Sequence, residues 1–404
     1  MTEIGSPPAE SAQAVAPPGA SPVDRLSSID LVRGLVMVLM ALDHVRDHIH
    51  RGALTSDPTD LSHAGAALFL TRWVTHFCAP VFVFLAGTGA FLWGARGRTR
   101  GELSRYLLTR GLWLVLLELT VVNWEWQMGI RFGFTVAQVI WALGWSMVTL
   151  AVLIHLPLTA IVLIGGVMIV GHNLLDGVRP ESLGALATLW KVLHIQGPIE
   201  YGRGRTLFVM YPLVPWIGVM ATGYAFGALY TRPLEERRGA ILVLAGLLTG
   251  AFVALRALNV YGDPGPWSAQ RDALYTALSF LNCQKYPPSL LFLLMTLGPS
   301  LLMLAFLERG VSRLARPLVV FGRVPLFYYI AHLLVIDVLT VGLAVARYGR
   351  RAPELFAQGP PADYGYGLPI VYLVWIAVVA GLYPVCRWFA AVKARRRSRW
   401  LSYV

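Results

Sequence analysis

The chain has 404 residues, of which 56% are hydrophobic and only 14% are charged. A soluble domain carries about 25% charged residues, so this composition leaves too little polar surface to face water on all sides. It favours an integral membrane protein, in which each span needs roughly 20 mostly apolar residues. The net charge is +12. Without basic segments interleaved with aromatic residues, that charge does not indicate nucleic-acid binding.

The N-terminal segment 1–24 is rich in alanine, proline and serine and contains no lysine or arginine. Such a segment cannot bury a core, so we predict a disordered tail. It lacks the basic n-region of a signal peptide, and the first apolar segment is therefore expected to be a retained span. We predict one transmembrane domain over 25–392, followed by a basic cytoplasmic tail over 393–404.

Ten apolar segments predict an all-α fold, a polytopic bundle of about ten transmembrane helices. The predicted spans are 29–47, 67–94, 105–122, 135–154, 156–173, 206–230, 239–258, 289–307, 318–343 and 368–390. Arginine-rich loops follow spans two, six and eight, and the basic tail follows span ten. These segments share one side, so the positive-inside rule predicts that both termini are cytoplasmic. A short amphipathic helix near Leu183–Leu193 is expected on the opposite surface.

Ionisable residues inside the spans are the strongest indicators of a functional site, because placing one at the bilayer centre costs roughly 2.5–3.5 kcal/mol. Asp30 and Arg33 share one helical face near the predicted cytoplasmic end of span one. Two interpretations stay open for this pair. They form a local ion pair, or they help to bind an anionic ligand that enters from the cytoplasm.

The other end of span one carries a second polar group, which comprises Asp43, His44, Asp47 and His48. Asp43 and His44 are predicted to lie deeper, whereas Asp47 and His48 also fit a wet interfacial turn. The HxxxH spacing of the two histidines is compatible with a shared metal ion. No dedicated metal-binding motif accompanies it, so no metal is expected.

Span nine places His332 near the middle of the membrane, with Tyr328 one turn before it and Asp337 five residues after it. A lone histidine in this position is either a hydrogen-bonded core residue or part of a functional site. Three further buried polar residues are predicted to form structural hydrogen bonds between helices. They are Glu118, Gln138 and Arg256.

A histidine beside an aspartate on the non-cytoplasmic side suits general-base or nucleophilic chemistry, because imidazole titrates near neutral pH. Acyl transfer requires such a base, together with donors for the developing oxyanion. A proton-coupled transporter would use buried aspartate and histidine as well. The residue types alone therefore leave an enzyme and a permease open.

Several segments resemble the heparan-α-glucosaminide N-acetyltransferase catalytic domain family. The resemblance starts with RLSSIDLVRGLVMVLMALDH at the beginning of span one and continues with PVFVFLAG in span two. It extends to YPLVPWIGVMATGYAFG, KYPPSLLFLLMTLGPSLL and GRVPLFYYIAH further along the chain. It implies a transmembrane acyltransferase, which takes acetyl groups from cytoplasmic acetyl-CoA and delivers them to a sugar on the far side.

The resemblance also suggests roles for individual residues. Arg33 matches the family's arginine in the first span, which implies contact with the CoA phosphates. His44 stands where the characterised eukaryotic members have an asparagine at the acetyl-transfer site. Their catalytic histidine lies in the first non-cytoplasmic loop, for which His48, His50 and His63 are the candidates here. His76 replaces an acidic residue of those members.

The leading hypothesis is acyl transfer with His44 as general base or transient acyl carrier. Asp43 or Asp47 would orient an imidazole, with His48 as a further candidate, and His332 with Tyr328 would line the same cavity. Arg33 and Arg323, beside Asp30, would bind the CoA phosphates.

The acceptor would be an extracytoplasmic sugar or glycan, and the location a bacterial plasma (inner) membrane. Membrane lipids are the other expected partners, a homo-oligomer is open, and nucleic acid is not expected. The alternatives are a proton-coupled small-solute permease and a non-catalytic membrane scaffold.

Overall fold

The computed structural model describes residues 24–127, 133–202, 204–310, 312–356 and 359–396. The predicted N-terminal tail lies outside the described residues, except for Asp24, at which the first helix begins. Most of the predicted basic tail lies outside them too, although the last helix continues to Arg395.

Helices make up nearly all of the regular structure in the described ranges. The first group is α1 Asp24–Ile49, α2 Arg51–Thr55, α3 Ala66–Thr75, α4 Cys78–Gly94, α5 Arg100–Leu117, α6 Asn123–Trp126, α7 Val139–Leu153, α8 Leu158–Gly171 and α9 Ala187–Leu193. The second group is α10 Leu213–Phe226, α11 Leu234–Leu258, α12 Ala273–Leu281, α13 Leu290–Leu307, α14 Arg316–Arg323, α15 Pro325–Tyr348, α16 Ala352–Phe356 and α17 Leu368–Arg395. The strands are β1 Phe134–Ala137, β2 Gly197–Glu200 and β3 Thr206–Val209.

Among the described residues, eight helical segments are long and apolar enough to cross a membrane. They are Ala66–Gly94, Arg100–Trp126, Leu158–Leu175, Leu213–Thr231, Leu234–Leu258, Leu290–Leu307, Pro325–Phe356 and Leu368–Arg395. This confirms the all-α polytopic class. The two other predicted spans correspond to α1, which is rich in charged residues, and to α7, which has only 15 residues. For these two helices, and for the cytoplasmic placement of the termini, the assignment stays a prediction.

Three predicted spans begin with structure other than their membrane helix. Residues 135–137 and 206–209 belong to β1 and β3, so the predictions that spans four and six start there were wrong. Both strands contain β-branched or aromatic residues, and a sheet satisfies their backbone groups. The prediction for span nine merged α14 with α15, which are separate because Pro325 disfavours helical geometry at Val324.

The three strands form one small sheet in the order β1-β3-β2. β1 pairs with β3 in parallel and β2 pairs with β3 antiparallel. Between α8 and β2 the chain forms two 3-10 segments, His172–Leu175 and Pro180–Leu186, and then α9, where an amphipathic helix was predicted. The sheet therefore ties the segment before α7 to the segment before α10.

Helix α1 is the central element around which the site is built. It packs against α14, α15 and α17 and also against α3 and α4. Its apolar residues are buried nearly all round, as expected for a core helix. A Cβ atom on Gly34 would lie 1.8 Å from the carbonyl oxygen of Leu318, so the backbones of α1 and α14 are in direct contact there.

Candidate active site

The centre of the site is a pair of buried histidines from helices far apart in sequence. His44 lies on α1 and His332 on α15, and His44 Nδ1 is 2.8 Å from His332 Nε2. Their rings are nearly parallel, with centroids 5.0 Å apart. The Tyr328 ring stacks on His332, also at 5.0 Å. The structure thus brings together the three residues that were predicted to share a cavity.

The backbone contact of His332 determines which nitrogen of each ring carries a proton. His332 Nδ1 lies 2.7 Å from the carbonyl oxygen of Tyr328. A carbonyl oxygen only accepts hydrogen bonds, so this nitrogen is the donor. Nε2 of neutral His332 is then an acceptor, and His44 Nδ1–H donates to it. Neutral His44 therefore has its lone pair on Nε2, the atom that a general base or a nucleophile uses.

Asp43 is held by three cationic side chains. Arg72 Nη1 lies 2.8 Å from both carboxylate oxygens. Arg46 Nη2 is 2.7 Å from Oδ1, and Lys285 Nζ is 3.9 Å from Oδ2. Asp47 joins this group because its Oδ1 lies 2.6 Å from Arg46 Nη2. We call these five residues the charge cluster. It carries three positive and two negative formal charges.

The charge cluster corrects the prediction that Asp43 or Asp47 orients an imidazole. No hydrogen bond joins either carboxylate to a ring nitrogen in the part of the chain that the structure describes. Consecutive helical residues point about 100° apart, so Asp43 faces Arg72 on α3 whereas His44 faces α15. The partner that orients His44 is His332.

His48 belongs to the same buried layer, one turn after His44. Its Nδ1 lies 2.7 Å from the carbonyl oxygen of His44, and its Nε2 lies 3.3 Å from Asp337 Oδ1. The Trp126 ring contacts both imidazoles, with centroid distances of 5.1 Å and 5.0 Å. These contacts indicate a structural role for His48, which holds α1, Asp337 and Trp126 together beside the His44–His332 pair.

The two other loop histidines are engaged elsewhere. His50 Nδ1 accepts a hydrogen bond from the backbone N–H of Ala53 and so caps α2. His63 is bound to Asp60 in a surface turn, and its side chain is 70% exposed. Among the described residues, no hydrogen bond or ring contact joins either histidine to the His44–His332 pair.

The predicted phosphate-binding residues come together near the start of α1. Arg33 Nη1 lies 3.2 Å from Asp30 Oδ1, and it donates to the Gly322 carbonyl oxygen at 3.3 Å. Arg323 Nε lies 3.8 Å from the other Asp30 oxygen, and its side chain is 55% exposed. The three residues thus form one charged group at the crossing of α1 and α14.

A cavity of about 210 Å³ opens beside this group, and we call it the Arg33 cavity. Its lining combines cations with aromatic and apolar side chains, among them Arg33, Arg110, Trp93, Tyr106 and Met147. Arg33 and Asp43 are ten residues apart on α1, which corresponds to about 15 Å along the helix axis. The Arg33 cavity and the charge cluster therefore lie at different depths of the bundle.

A larger cavity of about 400 Å³ lies at the level of the charge cluster, and we call it the Lys285 cavity. Arg72, Lys285 and Tyr286 line it together with His76 from the end of α3 and Gln196 from the loop before β2. It is rich in hydrogen-bonding groups, which suits a polar ligand. The two cavities therefore lie at different levels of α1, the Arg33 cavity near its start and the Lys285 cavity beside Asp43.

The loop between α11 and α13 shapes the wall of the Lys285 cavity. Burial raises the pKa of Asp263, although Ser289 and the backbone N–H of Gln284 donate hydrogen bonds to it. Arg256 donates to the carbonyl oxygens of Phe280 and Gly265 at 2.9 and 2.8 Å, as expected of a structural residue. These bonds hold the wall in place.

Glu118 likewise has the structural role predicted for it. The backbone N–H groups of Gln138 and Trp141 donate to its carboxylate at 3.3 and 3.1 Å. The carboxylate thus satisfies free N–H groups at the first turn of α7, where negative charge is favourable.

Sequence reasoning missed Arg72, Trp126, Lys285 and Tyr286 as site residues. An arginine within the apolar segment of α3 was a signal for Arg72, because charged residues in spans are rare. Lys285 is one of only three lysines in the chain, and it begins one of the segments that carry the family resemblance. No pattern singled out Trp126, because a tryptophan near the end of a span is typical of the membrane interface.

A helical membrane bundle with a buried histidine pair and two cavities at different depths fits a transmembrane group-transfer enzyme. The model of the family described as heparan-alpha-glucosaminide N-acetyltransferase, catalytic, matches residues 25–261, more than half of the chain. The chain therefore belongs to this family and is a transmembrane acetyltransferase in general terms. No curated protein matches the chain.

Proposed function

We propose that this protein transfers an acetyl group from cytoplasmic acetyl-CoA to an amino or hydroxyl group of an extracytoplasmic sugar or glycan. The observation that carries the proposal is the buried His44–His332 pair, which lies next to Asp43. Asp43 is bound by Arg72 and Lys285 of the Lys285 cavity, and the Arg33 cavity opens about 15 Å away along α1. The family membership of the chain supports the reaction class.

The Arg33 cavity is the proposed donor site. Arg33 and the exposed Arg323 supply guanidinium groups, which bind phosphate through charge-assisted hydrogen bonds. A volume of about 210 Å³ is too small for a whole coenzyme, so the cavity would take the acyl-pantetheine arm while the nucleotide stays at the surface.

His44 Nε2 is the proposed reactive atom. As a general base it would take the proton of the acceptor amine or hydroxyl while that group attacks the thioester carbonyl. The C–S bond then breaks, and the CoA thiolate leaves and is protonated. As an acyl carrier, Nε2 would itself attack the thioester carbonyl, and the C–S bond would break to release the CoA thiolate. The acceptor would then attack the acetyl-imidazole and free Nε2, and the proton it loses would neutralise the thiolate.

The Lys285 cavity is the proposed acceptor site. Its polar lining suits a saccharide, and Arg72 and Lys285 place positive charge where a negatively charged oxygen would develop in the transition state. The charge cluster is fixed before the reaction, so it needs no reorganisation as this charge forms.

The test begins with calorimetric binding of acetyl-CoA to the detergent-purified protein, beside desulfo-CoA. Micromolar binding is expected for the unchanged protein, with loss in Arg33→Ala and Arg323→Ala. Arg96→Ala is the matched control, because Arg96 is exposed and lies outside the Arg33 cavity. His44→Ala should keep donor binding and lose acetyl transfer in proteoliposomes.

Two outcomes would overturn the proposal. A folded protein that does not bind acetyl-CoA would remove the donor and leave a permease, which predicts solute accumulation in vesicles without any acyl-CoA. An active His44→Ala enzyme would remove His44 from the mechanism.

A further inference from the structure

A second group of histidines lies away from the His44–His332 pair, at the end of α8. His172 follows the last residue of α8, Asp176 follows the short 3-10 turn, and His194 follows α9. One nitrogen of each histidine and one oxygen of Asp176 lie within 4.8 Å of one another. The three side chains converge although 22 residues separate the first from the last.

The two imidazoles are buried without well-formed hydrogen bonds. Each residue is only 2% exposed, and in the described part of the chain the contacts of the ring nitrogens with Asp176 and with the Pro288 backbone lie outside good hydrogen-bond geometry. His194 Nε2 lies 3.2 Å from Asp176 Oδ1 but outside hydrogen-bond geometry. Buried polar groups are nearly always paired, so these nitrogens require an explanation.

The surroundings orient the three side chains. Asn173 Nδ2 donates to Asp176 Oδ2 at 2.8 Å, which leaves Oδ1 on the side of the histidines. Asn173 is itself fixed, because its Oδ1 accepts from the backbone N–H of Leu290 at 2.9 Å. The Pro288 backbone lies beside His172. Ligand histidines in metal sites direct their other N–H to such carbonyl groups.

Two imidazoles and one carboxylate are the donor set of a zinc-type ion with one open coordination position. Zn–N bonds are about 2.0 Å long, so donors around a tetrahedral ion lie about 3.3 Å apart. Side-chain rotation is enough to draw atoms that lie within 4.8 Å into this arrangement. The Asp176 side chain is 26% exposed, which gives an ion access from the aqueous side.

We propose that His172, Asp176 and His194 bind a divalent transition-metal ion of the zinc type. The ion joins the end of α8 to the end of α9. It thereby fixes the segment that begins at Gln196, a residue that lines the Lys285 cavity. The proposal does not depend on the acetyl-transfer reaction.

The experiment measures Zn²⁺ and Co²⁺ binding to detergent-purified protein that has no histidine tag and has been treated with a chelator. One equivalent per chain is expected, and Co²⁺ should show the intense visible bands of a site with four or five ligands. His172→Ala and His194→Ala should each lose the stoichiometric ion. Asn173→Ala should bind about 10- to 100-fold more weakly, because Asp176 loses its orientation.

Two controls separate ligand loss from misfolding. Asp176→Asn keeps the shape of a surface side chain and should still weaken binding. His155→Ala removes an exposed histidine from the loop between α7 and α8 and should bind one equivalent unchanged. A folded protein that binds neither ion, or one that keeps stoichiometric binding in both His172→Ala and His194→Ala, would overturn the proposal.

Discussion

At the scale of single residues, the site depends on a chain of hydrogen bonds that starts at the Tyr328 carbonyl oxygen. This oxygen fixes the proton of His332 on Nδ1, and His332 in turn fixes the proton of His44 on Nδ1. His332 here does for His44 what a carboxylate does in many hydrolases. A neutral partner holds the ring in place without adding negative charge to it.

This arrangement predicts the kinetics of His332→Ala. The variant should lower kcat by about 100-fold or more, because His44 loses the acceptor that fixes its tautomer. KM for acetyl-CoA should change little, since Arg33 and Arg323 are untouched. Steady-state rates in proteoliposomes test this, with His155→Ala as the matched control. A variant with unchanged kcat would contradict the proposed role of His332.

The charge cluster predicts unequal effects for two neighbouring aspartates. Asp43→Asn leaves Arg46, Arg72 and Lys285 without their common carboxylate, and breaking such a buried pair costs about 3–5 kcal/mol. Asp47 is 32% exposed and pairs with one arginine. Asp47→Asn should therefore cost at most about 1 kcal/mol. Thermal unfolding in detergent measures both, and equal shifts would contradict the account.

At the scale of helices, glycines allow the backbones to meet where α1 crosses α14. A Cβ on Gly322 would lie 1.8 Å from the Asp30 carbonyl oxygen, the mirror of the contact at Gly34. Gly87 and Gly223 do the same for α4 and α10, with added Cβ atoms 2.1 Å from backbone oxygens. Membrane helices associate through such small residues, because lipid provides no hydrophobic drive between helices.

Gly34→Ala should therefore destabilise the bundle and widen the group formed by Asp30, Arg33 and Arg323. Overpacking costs about 1–3 kcal/mol, and here the clash is with rigid backbone. Gly246→Ala is the matched control, because nothing lies within 4 Å of a Cβ added at that position. We expect a lower unfolding temperature and weaker acetyl-CoA binding for Gly34→Ala only. Equal behaviour of the two variants would argue against close packing of α1 on α14.

At the scale of the whole molecule, the proposed reaction requires that the two cavities open toward opposite sides of the membrane. In the proposed reaction, the Arg33 cavity faces the side that supplies acetyl-CoA, and the Lys285 cavity faces the acceptor. The predicted topology meets this requirement, because the arginine-rich loops and the start of α1 share one side. The charge cluster forms part of the wall of the Lys285 cavity, and the histidine pair lies beside the cluster on α1.

Single-cysteine labelling tests this orientation in intact cells. The native cysteines Cys78, Cys283 and Cys386 are buried, and burial raises the pKa of the Cys283 thiol to about 12, so they should stay unlabelled. His63→Cys should react with an impermeant maleimide from outside, whereas Arg96→Cys should react only after permeabilisation. Labelling of the 96 position in intact cells would reverse the orientation and contradict the proposed donor side.

Local pattern was sufficient for much of the fold. Apolar runs gave the membrane helices, since a span must satisfy its own backbone hydrogen bonds in lipid. The local pattern failed at β1 and β3. A short apolar run has the same composition in a strand as at the end of a membrane span, so the pattern could not distinguish the two. Residues one helical turn apart are easier: the ion pair of Asp30 and Arg33 was one of the two interpretations left open, because helical spacing fixes their distance.

The sequence by itself determined the membrane class, the positions of most spans, the family and the candidate residues of α1, because these follow from composition and local periodicity. Only the tertiary structure decided that His44 meets His332, that Asp43 faces Arg72 and Lys285, and that His172 meets His194. These partners lie on different helices, and their contacts depend on how the helices cross. Helical spacing carries no information about residues that are distant in the chain, so packing alone sets these distances.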